Sequence, residues 1–309
     1  MQITRRLKEN LKGTLHDVFL LGQRLGVDIL PRHYYSAIPD IRGLKRSDSW
    51  KNAASMIGVA GTDLQAQLSY LYECCTPFDS RLRKGGIHQL ACEENGESGY
   101  GSVESDLLYC LIAKRQPKSI IQIGAGVSTA VILLAARDAQ YAPQILCIDP
   151  FPTRYLLRLE EQQSIKLVRE EAQRVDIETL TRLDPGDLLF IDSTHAVRPG
   201  SEVNRLILEV LPRIPSGCLV HFHDIYFPYD YQASVLETLF FSAESTLLHA
   251  FLINNSKYSI ALSLSMLHHR CPDQLKRVFP NYVPAAMDHG LKPGAASGDF
   301  PSATYLLVR

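Results

Sequence analysis

Acidic and imidazole side chains follow two apolar segments in the second half of the chain. Asp192, Ser193 and His195 come directly after one segment, and His223 and Asp224 come directly after the next. Imidazole titrates near neutral pH and serves as a proton acceptor or a metal ligand, while carboxylates bind divalent cations. These residue types predict acid–base chemistry or a metal site, provided that the fold brings the two segments together.

An earlier apolar segment runs directly into a glycine turn and then into a helical pattern. The turn contains Gly124, Ala125 and Gly126, and Ser128 and Thr129 follow at the start of the helix. Glycine permits a tight turn and lets a ligand lie against the main chain. Serine and threonine can cap the helix and leave its first N–H groups facing the ligand. The segment therefore predicts a small-molecule site.

A further candidate binding residue is Asp149, which precedes Pro150 at the end of the next apolar run. Its two carboxylate oxygens could accept both hydroxyls of a ribose. A dinucleotide fingerprint would need a third glycine where Thr129 stands, and no Gly-Lys-Ser/Thr sequence follows at the spacing of a P-loop. What remains is a short G-x-G turn with an acid one strand later, which many Rossmann-like folds share.

Short apolar runs alternate with amphipathic segments from about residue 100 onward. The runs cover residues 120–123, 145–148, 165–168, 188–191, 218–222, 258–264 and 304–308. Helical patterns cover residues 103–114, 128–138, 153–163, 201–211 and 231–254. Continuous apolar runs separated by helices predict a mostly parallel α/β sheet with helices on both faces. Ligands of such sheets bind beyond the carboxyl ends of the strands, where the glycine turn, acids and histidines should meet.

Residues 1–99 have a different pattern and are expected to form an N-terminal helical cap, leaving residues 100–309 as the ligand-binding domain. Apolar residues at helical spacing are interrupted by a proline-rich and aromatic-rich passage at residues 31–40. Tyr34, Tyr35 and Ser36 in this passage either line a lid over the substrate or anchor the cap by packing.

The composition limits the class of protein and of partner. The chain has 309 residues with 32 basic and 33 acidic side chains, which give a net charge of −1. A protein without net positive charge has no overall electrostatic attraction for nucleic acid. Its N-terminus lacks the apolar core of a signal peptide, and no apolar run is long enough to span a membrane. Seven cysteines without a C-x-x-C pair fit reduced thiols. We expect a cytoplasmic protein without a nucleic-acid partner, for which a homo-oligomeric state stays open.

The order of these features resembles the class I S-adenosylmethionine-dependent methyltransferases over roughly residues 100–309. Residues 121–126 resemble the family's glycine motif, residues 147–150 its ribose-binding acid and residues 188–192 its fourth-strand motif. The resemblance implies a Rossmann-like, doubly wound sheet of seven mostly parallel strands with an antiparallel last strand. Residues 33–40, 190–195 and 221–228 resemble a bacterial branch linked to O-methylation of sugars, polysaccharides or natural products.

The resemblance also implies S-adenosyl-L-methionine as the cofactor and a set of residues that bind it. These residues are Gln122, Gly124, Ala125, Gly126, Ser128, Thr129, Asp149, Pro150, Asp192 and Ser193. Gln122 departs from the family, which usually has an acid at this position. The amide oxygen still accepts hydrogen bonds but lacks the charge that would attract the cofactor's amino group.

Two ways of activating an alcohol acceptor stay open. His195 or His223 could act as a base beside Asp224. Alternatively, Asp192, His223 and Asp224 could hold a divalent metal, either magnesium as in catechol-type O-methyltransferases or manganese, iron or zinc, which imidazole ligands favour.

We predict O-methylation of a hydroxyl on a sugar or small natural product, with a small-molecule or glycan acceptor. The alternatives are a metal-dependent hydroxylase or another reaction on this fold, and a catalytically silent cofactor-binding partner protein.

Overall fold

The computed structural model describes residues 2–294 and 297–309, with side chains from Lys12 onward. It divides into two compact units, Met1–Asp48 and Ser49–Arg309. The first unit contains helices α1 (Gln2–Arg24) and α2 (Ile41–Leu44). In the passage between them, the side chains of Tyr34 and Tyr35 are 87% and 76% exposed. Their assignment to a lid stays a prediction.

Within the described residues, seven strands of the second unit form one sheet. They are β1 Ser119–Ile123, β2 Gln144–Ile148, β3 Lys166–Val168, β4 Leu188–Ile191, β5 Leu219–Phe222, β6 Tyr258–Ser263 and β7 Thr304–Val308. Their spatial order is β3-β2-β1-β4-β5-β7-β6. The first five strands pair in parallel, whereas β7 pairs antiparallel with both β5 and β6. This order confirms the predicted Rossmann-like sheet with an antiparallel last strand.

Helices cover both faces of this sheet. They are α3 Leu64–Cys75, α4 Asp79–Lys84, α5 Ile87–Asn95, α6 Ser102–Arg115, α7 Val127–Asp138, α8 Arg154–Glu161, α9 Ile177–Leu180, α10 Glu202–Arg205, α11 Glu244–Leu252, α12 Leu264–Arg270 and α13 Pro272–Val278. Side chains alternate between the faces of a strand, so Ile120 packs in one core cluster and Ile121 in the other. Among the described residues, no helix combines the length and apolarity needed to cross a bilayer.

The pairing register places the site residues together. Ile123 at the end of β1 pairs with Ile191 at the end of β4, and Ile191 pairs with Phe222 at the end of β5. All four residues of β4 and of β5 are buried, as expected for strands covered on both faces. The three carboxyl ends therefore meet at one edge, where the glycine turn, Asp192 and His223 begin.

Two boundaries differ from the sequence expectation. The compact units divide between Asp48 and Ser49, well before residue 99, because α3 packs on β6 and α5 packs on α7. The helix expected over 231–254 forms only as α11. Tyr231 and Val235 are buried against Leu291 instead, so tertiary packing overrides the helical pattern before residue 244.

His268 and His269 at the end of α12 are shielded from solvent, His268 almost completely and His269 in part. His268 is buried, and its Nδ1 lies 2.7 Å from the Tyr282 hydroxyl. Burial disfavours the charged imidazole and lowers the pKa of His268 from 6.5 to about 4, while the charge of Asp299 opposes the shift. The side chain is therefore a neutral core group at neutral pH.

This depressed pKa predicts acid sensitivity of the fold. The unfolded chain takes up the proton first as the pH falls, so the contribution of His268 is present above pH 6.5 and lost towards pH 4. His268→Gln can still bond Tyr282 but does not titrate. Between pH 7.5 and 5, we expect the free energy of unfolding in urea to fall about 2 kcal/mol less in the variant than in the wild type. Equal losses would contradict a neutral buried His268.

Candidate active site

The glycine turn after β1 is built against the segment that follows β4. Gly124 has a φ of +78° and donates its N–H to the Ile148 carbonyl at 3.0 Å. Asp192 donates its N–H to the Ile123 carbonyl at 2.8 Å. A Cβ on Gly124 would collide with the backbone carbonyl of Asp192. Only glycine fits here, and the predicted cofactor turn directly contacts the predicted acid cluster.

Gln122 supports the turn from inside the protein. Its amide oxygen accepts from Thr129 Oγ1 at 2.9 Å, and its amide nitrogen donates to Ser128 Oγ at 3.2 Å. Thr129 Oγ1 in turn accepts from the Gly126 N–H at 3.2 Å. All three side chains are buried. These hydrogen bonds hold the start of α7 against the end of β1. The turn therefore forms with a glutamine at position 122 in place of an acid.

Asp149 lies beside the same turn after β2. Its carboxylate accepts from the Ala125 N–H at 3.2 Å and from the Phe151 N–H at 2.8 Å. The cap of α8 is Thr153, whose side chain accepts from the Leu156 N–H, so Asp149 is not needed for this role. Asp149 is half-buried and Pro150 is exposed, so lone pairs of the carboxylate remain for a ligand. These residues fit a nucleoside ribose.

The four acids and histidines of β4 and β5 converge beyond the strand ends. Asp192 Oδ1 lies 3.5 Å from His195 Nε2 and 3.3 Å from His223 Nδ1. Asp224 lies 3.7 Å from each of these imidazoles through its two oxygens. His195 and Asp224 both have positive φ, at +58° and +52°. Such strained backbone persists where surrounding contacts enforce it, and it clusters at functional sites.

One group of these residues has the spacing of a metal site. One ligand atom from each of Asp192, His195 and His223 lies within 4.8 Å of the others. Asp192 and His223 belong to the predicted ligand set, while His195 was predicted as a base. Two imidazole nitrogens with a carboxylate oxygen suit zinc, manganese or iron better than magnesium.

Mutual charge stabilises the protonated histidines. Burial disfavours the charged imidazoles, but the bonds to Asp192 and Glu244 outweigh it and raise the pKa of His195 to about 10. The charge of Asp192 likewise outweighs burial at His223 and raises its pKa to about 9. For Asp192, burial is outweighed by the two imidazoles, which hold its pKa well below its usual range. Without a cation, both histidines are therefore protonated at neutral pH.

Glu244 at the start of α11 completes the cluster and was not singled out in the sequence. It is fully buried, and its Oε2 lies 2.6 Å from His195 Nδ1. Its Oε1 has no hydrogen-bond partner among the described residues. Such a carboxylate orients the imidazole so that Nε2 faces the site. Because Glu244 lies 49 positions from His195 and in a loop-to-helix junction, no spacing signal marks it.

The Glu244 contact predicts a change in metal affinity. We expect Glu244→Ala to weaken Co²⁺ binding about 10–100-fold, as for other partners of histidine ligands, because His195 loses its orientation. Isothermal titration measures this. Glu202→Gln is the matched control, since Glu202 is also buried but bonds Thr194 at 2.9 and 2.6 Å rather than an imidazole. Similar affinities in Glu244→Ala and the control would remove Glu244 from the site.

His221 lies outside the cluster of acids and histidines. It is buried inside β5 with its ring stacked on Phe190 at 4.1 Å between centroids. Its Nε2 lies 3.0 Å from the Tyr100 hydroxyl, while Nδ1 has no partner in the described part of the chain. Burial lowers the pKa of His221 well below its usual value. The ring is a neutral core group with one unpaired nitrogen.

The predicted residues thus fall into three places. The glycine turn, Asp149 and the cluster around Asp192 share one edge of the sheet, and half-buried Ser193 lies beside Asp192. Gln122, Ser128 and Thr129 lie beneath the turn. Tyr34, Tyr35 and Ser36 belong to the N-terminal unit.

A family of sequences described as a methyltransferase domain matches residues 121–225. This range covers the glycine turn, Asp149 and the cluster from Asp192 to Asp224. No curated protein matches the chain.

Several solved structures are similar in fold to the chain. The O-methyltransferase TomG from Streptomyces achromogenes, in complex with SAM, is 16% identical, with 80% of this chain and 98% of TomG covered and a TM-score of 0.41. A putative O-methyltransferase from Klebsiella pneumoniae is 14% identical, with coverage of 77% and 99% and a TM-score of 0.42. An O-methyltransferase from Bacillus cereus with bound SAH is 12% identical, with coverage of 78% and 96% and a TM-score of 0.41.

Proposed function

We propose that this chain, a class I S-adenosylmethionine-dependent methyltransferase, methylates a hydroxyl group on a sugar or small natural product with the help of a divalent cation. The observation that carries the proposal is the cluster of Asp192, His195 and His223, which lies directly against the glycine turn. A methyl donor held at the turn and an acceptor held at the cluster would be adjacent. Alignment of the two is most of what methyl transfer requires.

The residues that would hold the cofactor follow from the turn. The Asp149 carboxylate would accept the ribose hydroxyls, and the N–H groups near Gly126 at the start of α7 would face the ligand. A Cβ at Gly126 would meet no atom closer than 3.5 Å, so the turn leaves space beside its main chain. When bound, S-adenosylmethionine supplies a methyl group on a positively charged sulfur, which keeps the electron pair of the broken C–S bond.

The acceptor hydroxyl must lose its proton as its oxygen bonds to the methyl carbon. The histidines are poor bases at neutral pH, because the pKa of His195 is raised to about 10 and that of His223 to about 9. This charge pattern favours the metal alternative, since a cation would displace both protons and bind neutral imidazoles. A bound divalent cation would lower the pKa of the hydroxyl. The Asp224 carboxylate, which is half-buried, would then take the proton and pass it to solvent.

Methyl transfer to hydroxylated acceptors tests this function. Purified protein with S-adenosylmethionine labelled in the methyl group should transfer label to an alcohol. Exhaustive chelation should abolish transfer, and Mn²⁺ or Zn²⁺ should restore it. Full activity after chelation would exclude a role for the metal, and a histidine would then be the base that accepts the hydroxyl proton. Cofactor binding without transfer to any hydroxyl would favour the silent partner protein, and oxidation of the acceptor would favour a hydroxylase.

Asp149 offers a separate test of the cofactor site. We expect Asp149→Ala to weaken S-adenosylmethionine binding by about 1.5–3 kcal/mol, because charge-assisted hydrogen bonds to the ribose are lost. Calorimetry measures the affinity, with Asp176→Ala as a control that removes a carboxylate elsewhere in the same unit. Unchanged affinity in a folded Asp149→Ala protein would exclude the ribose role.

A further inference from the structure

A serine in the segment before β7 lies opposite Asp224. Strands β5 and β7 pair antiparallel, with Phe222 opposite Thr304. When this register is continued past the strand ends, Ser302 falls opposite Asp224. Residues opposite each other in an antiparallel pair have their side chains on the same face. The Ser302 hydroxyl therefore reaches the acid cluster, although Ser302 lies outside the range 121–225 that matches the methyltransferase family.

Hydrogen bonds join Ser302 to the segment that follows β5. Ser302 Oγ donates to Asp224 Oδ1 at 2.8 Å, and the Ser302 carbonyl accepts from the Ile225 N–H at 2.9 Å. Ser302 is 3% exposed, so water has little access to compete for its hydroxyl. Asp224 has a φ of +52°, a backbone conformation that persists where surrounding contacts enforce it. The two hydrogen bonds of Ser302 supply such contacts.

Glu104 in α6 fixes the backbone of this serine. Its Oε1 accepts from the Ser302 N–H at 2.9 Å, and both residues are buried. A Cβ on Gly101 would collide with the Glu104 carboxylate, so this glycine leaves the room that the carboxylate occupies. A chain of hydrogen bonds thus runs from α6 through Ser302 to Asp224 at the edge of the acid cluster.

This arrangement makes the two carboxylate oxygens of Asp224 unequal. Oδ1 accepts the Ser302 hydroxyl, whereas Oδ2 lies 3.7 Å from His195 Nε2 on the side of the cluster. A hydrogen bond to an ionised carboxylate favours its charged form, so the oxygen that already accepts one is the weaker proton acceptor. Oδ2 is therefore the oxygen better suited to take a proton.

We propose that Ser302 and Glu104 are positioning residues of this site. The Ser302 hydroxyl holds the Asp224 carboxylate so that Oδ2 takes the proton of the acceptor, and Glu104 holds Ser302. The inference rests on the proposed function for the role of Asp224 as proton acceptor. Such a group must lie within hydrogen-bond reach of the proton that it takes. Loss of its orientation should therefore slow methyl transfer without weakening cofactor or metal binding.

Crystal structures without metal or cofactor test the positioning directly. Ser302→Ala removes the hydroxyl and keeps the backbone hydrogen bonds of this residue. We expect the Asp224 carboxylate to turn to a different rotamer in Ser302→Ala and to keep the wild-type rotamer in Ser302→Thr. Ser265→Ala is the matched control, since Ser265 is also buried and its hydroxyl donates to the Phe227 carbonyl at 2.7 Å. An unchanged Asp224 rotamer in Ser302→Ala would overturn the proposal.

Two substitutions of Glu104 separate its hydrogen bond from its charge. The amide oxygen in Glu104→Gln can still accept from the Ser302 N–H, whereas Glu104→Ala offers no acceptor. Hydrogen exchange of the Ser302 amide, measured by NMR, should be at least about tenfold faster in Glu104→Ala than in Glu104→Gln. Equal exchange rates in the two variants would remove Glu104 from the proposal.

Kinetics distinguish the positioning role from the function itself. Ser302→Ala should lower kcat for methyl transfer about 10–100-fold, which is part of what a positioned base contributes. The KM for S-adenosylmethionine and the affinity for Mn²⁺ should change less than about threefold. Ser302→Thr should restore most of kcat. Normal kcat in folded Ser302→Ala would overturn the positioning role and leave the methyltransferase intact. Absence of transfer by the wild type would overturn the proposed function, and the Asp224 rotamer would still decide whether Ser302 orients this carboxylate.

Discussion

Asp192→Asn should lower the rate of methyl transfer at least about 100-fold. Among the described side chains, Asp192 alone lies within 3.5 Å of both His195 and His223, so it supplies the anionic ligand of the proposed cation site. Substitution of a residue that only orients a metal ligand already lowers metal affinity or activity about 10–100-fold. Substitution of a direct ligand should lower them further. A neutral amide is a poorer ligand than a carboxylate for a divalent cation.

The same substitution has a readout that does not depend on activity. In chelated protein, removal of the Asp192 charge should lower the pKa of His195 below about 10 and that of His223 below about 9. The sign follows because a nearby negative charge stabilises the imidazolium form. NMR titration of the histidines measures both values. Asp273→Asn, which alters an exposed acid in α13, is the control for both readouts.

The two readouts distinguish the metal from a histidine base. Weaker Mn²⁺ binding together with lower activity supports the cation site. If the protein binds no Mn²⁺, Zn²⁺ or Co²⁺ but Asp192→Asn still shifts both histidines and lowers activity, the cluster acts through protons alone. Normal activity and unchanged Mn²⁺ affinity in a folded Asp192→Asn protein would remove Asp192 from the mechanism.

The sheet could be predicted from the sequence because its strands are buried on both faces. Strands β1, β2 and β4 are short, mostly apolar runs, and a glycine or an acid follows directly at the end of each. The meeting of Asp192 with His223 follows from the parallel pairing of β4 with β5. Local pattern and strand order were sufficient for this part of the site.

Contacts between distant segments could not be predicted in the same way. Glu244 bonds His195 only because the chain from residue 231 to 243 turns back instead of forming the expected helix. Phe300 contacts His268 and His269 from a segment without strand or helix, where no periodicity indicates which side chains face inward. Likewise, His268 is buried and His269 is half-buried because Tyr282, Tyr229 and Phe300 pack against the pair.

Gly124→Ala should lower cofactor affinity at least about tenfold and destabilise the fold more than alanine at a glycine of similar φ whose surroundings are open. The added Cβ would collide with the Asp192 carbonyl, and backbone cannot move aside as a flexible side chain can. Relief of the collision must displace the turn, the segment after β4, or both. Each displacement also disrupts the Asp192 N–H bond to Ile123 and moves the cluster from the turn.

Gly96→Ala is the matched control for this effect. Gly96 has a φ of +81°, close to the +78° of Gly124, but a Cβ there would meet no atom within 4 Å. It should cost about 1–2 kcal/mol for left-handed backbone strain and leave cofactor affinity unchanged. Gly124→Ala should cost a further 1–3 kcal/mol or so from overpacking, and S-adenosylmethionine affinity should fall at least about tenfold. Urea unfolding and calorimetry measure the two quantities. Equal effects of the two substitutions would mean that the turn and the Asp192 segment are not in contact, and the cofactor and cation sites would then have to be placed apart.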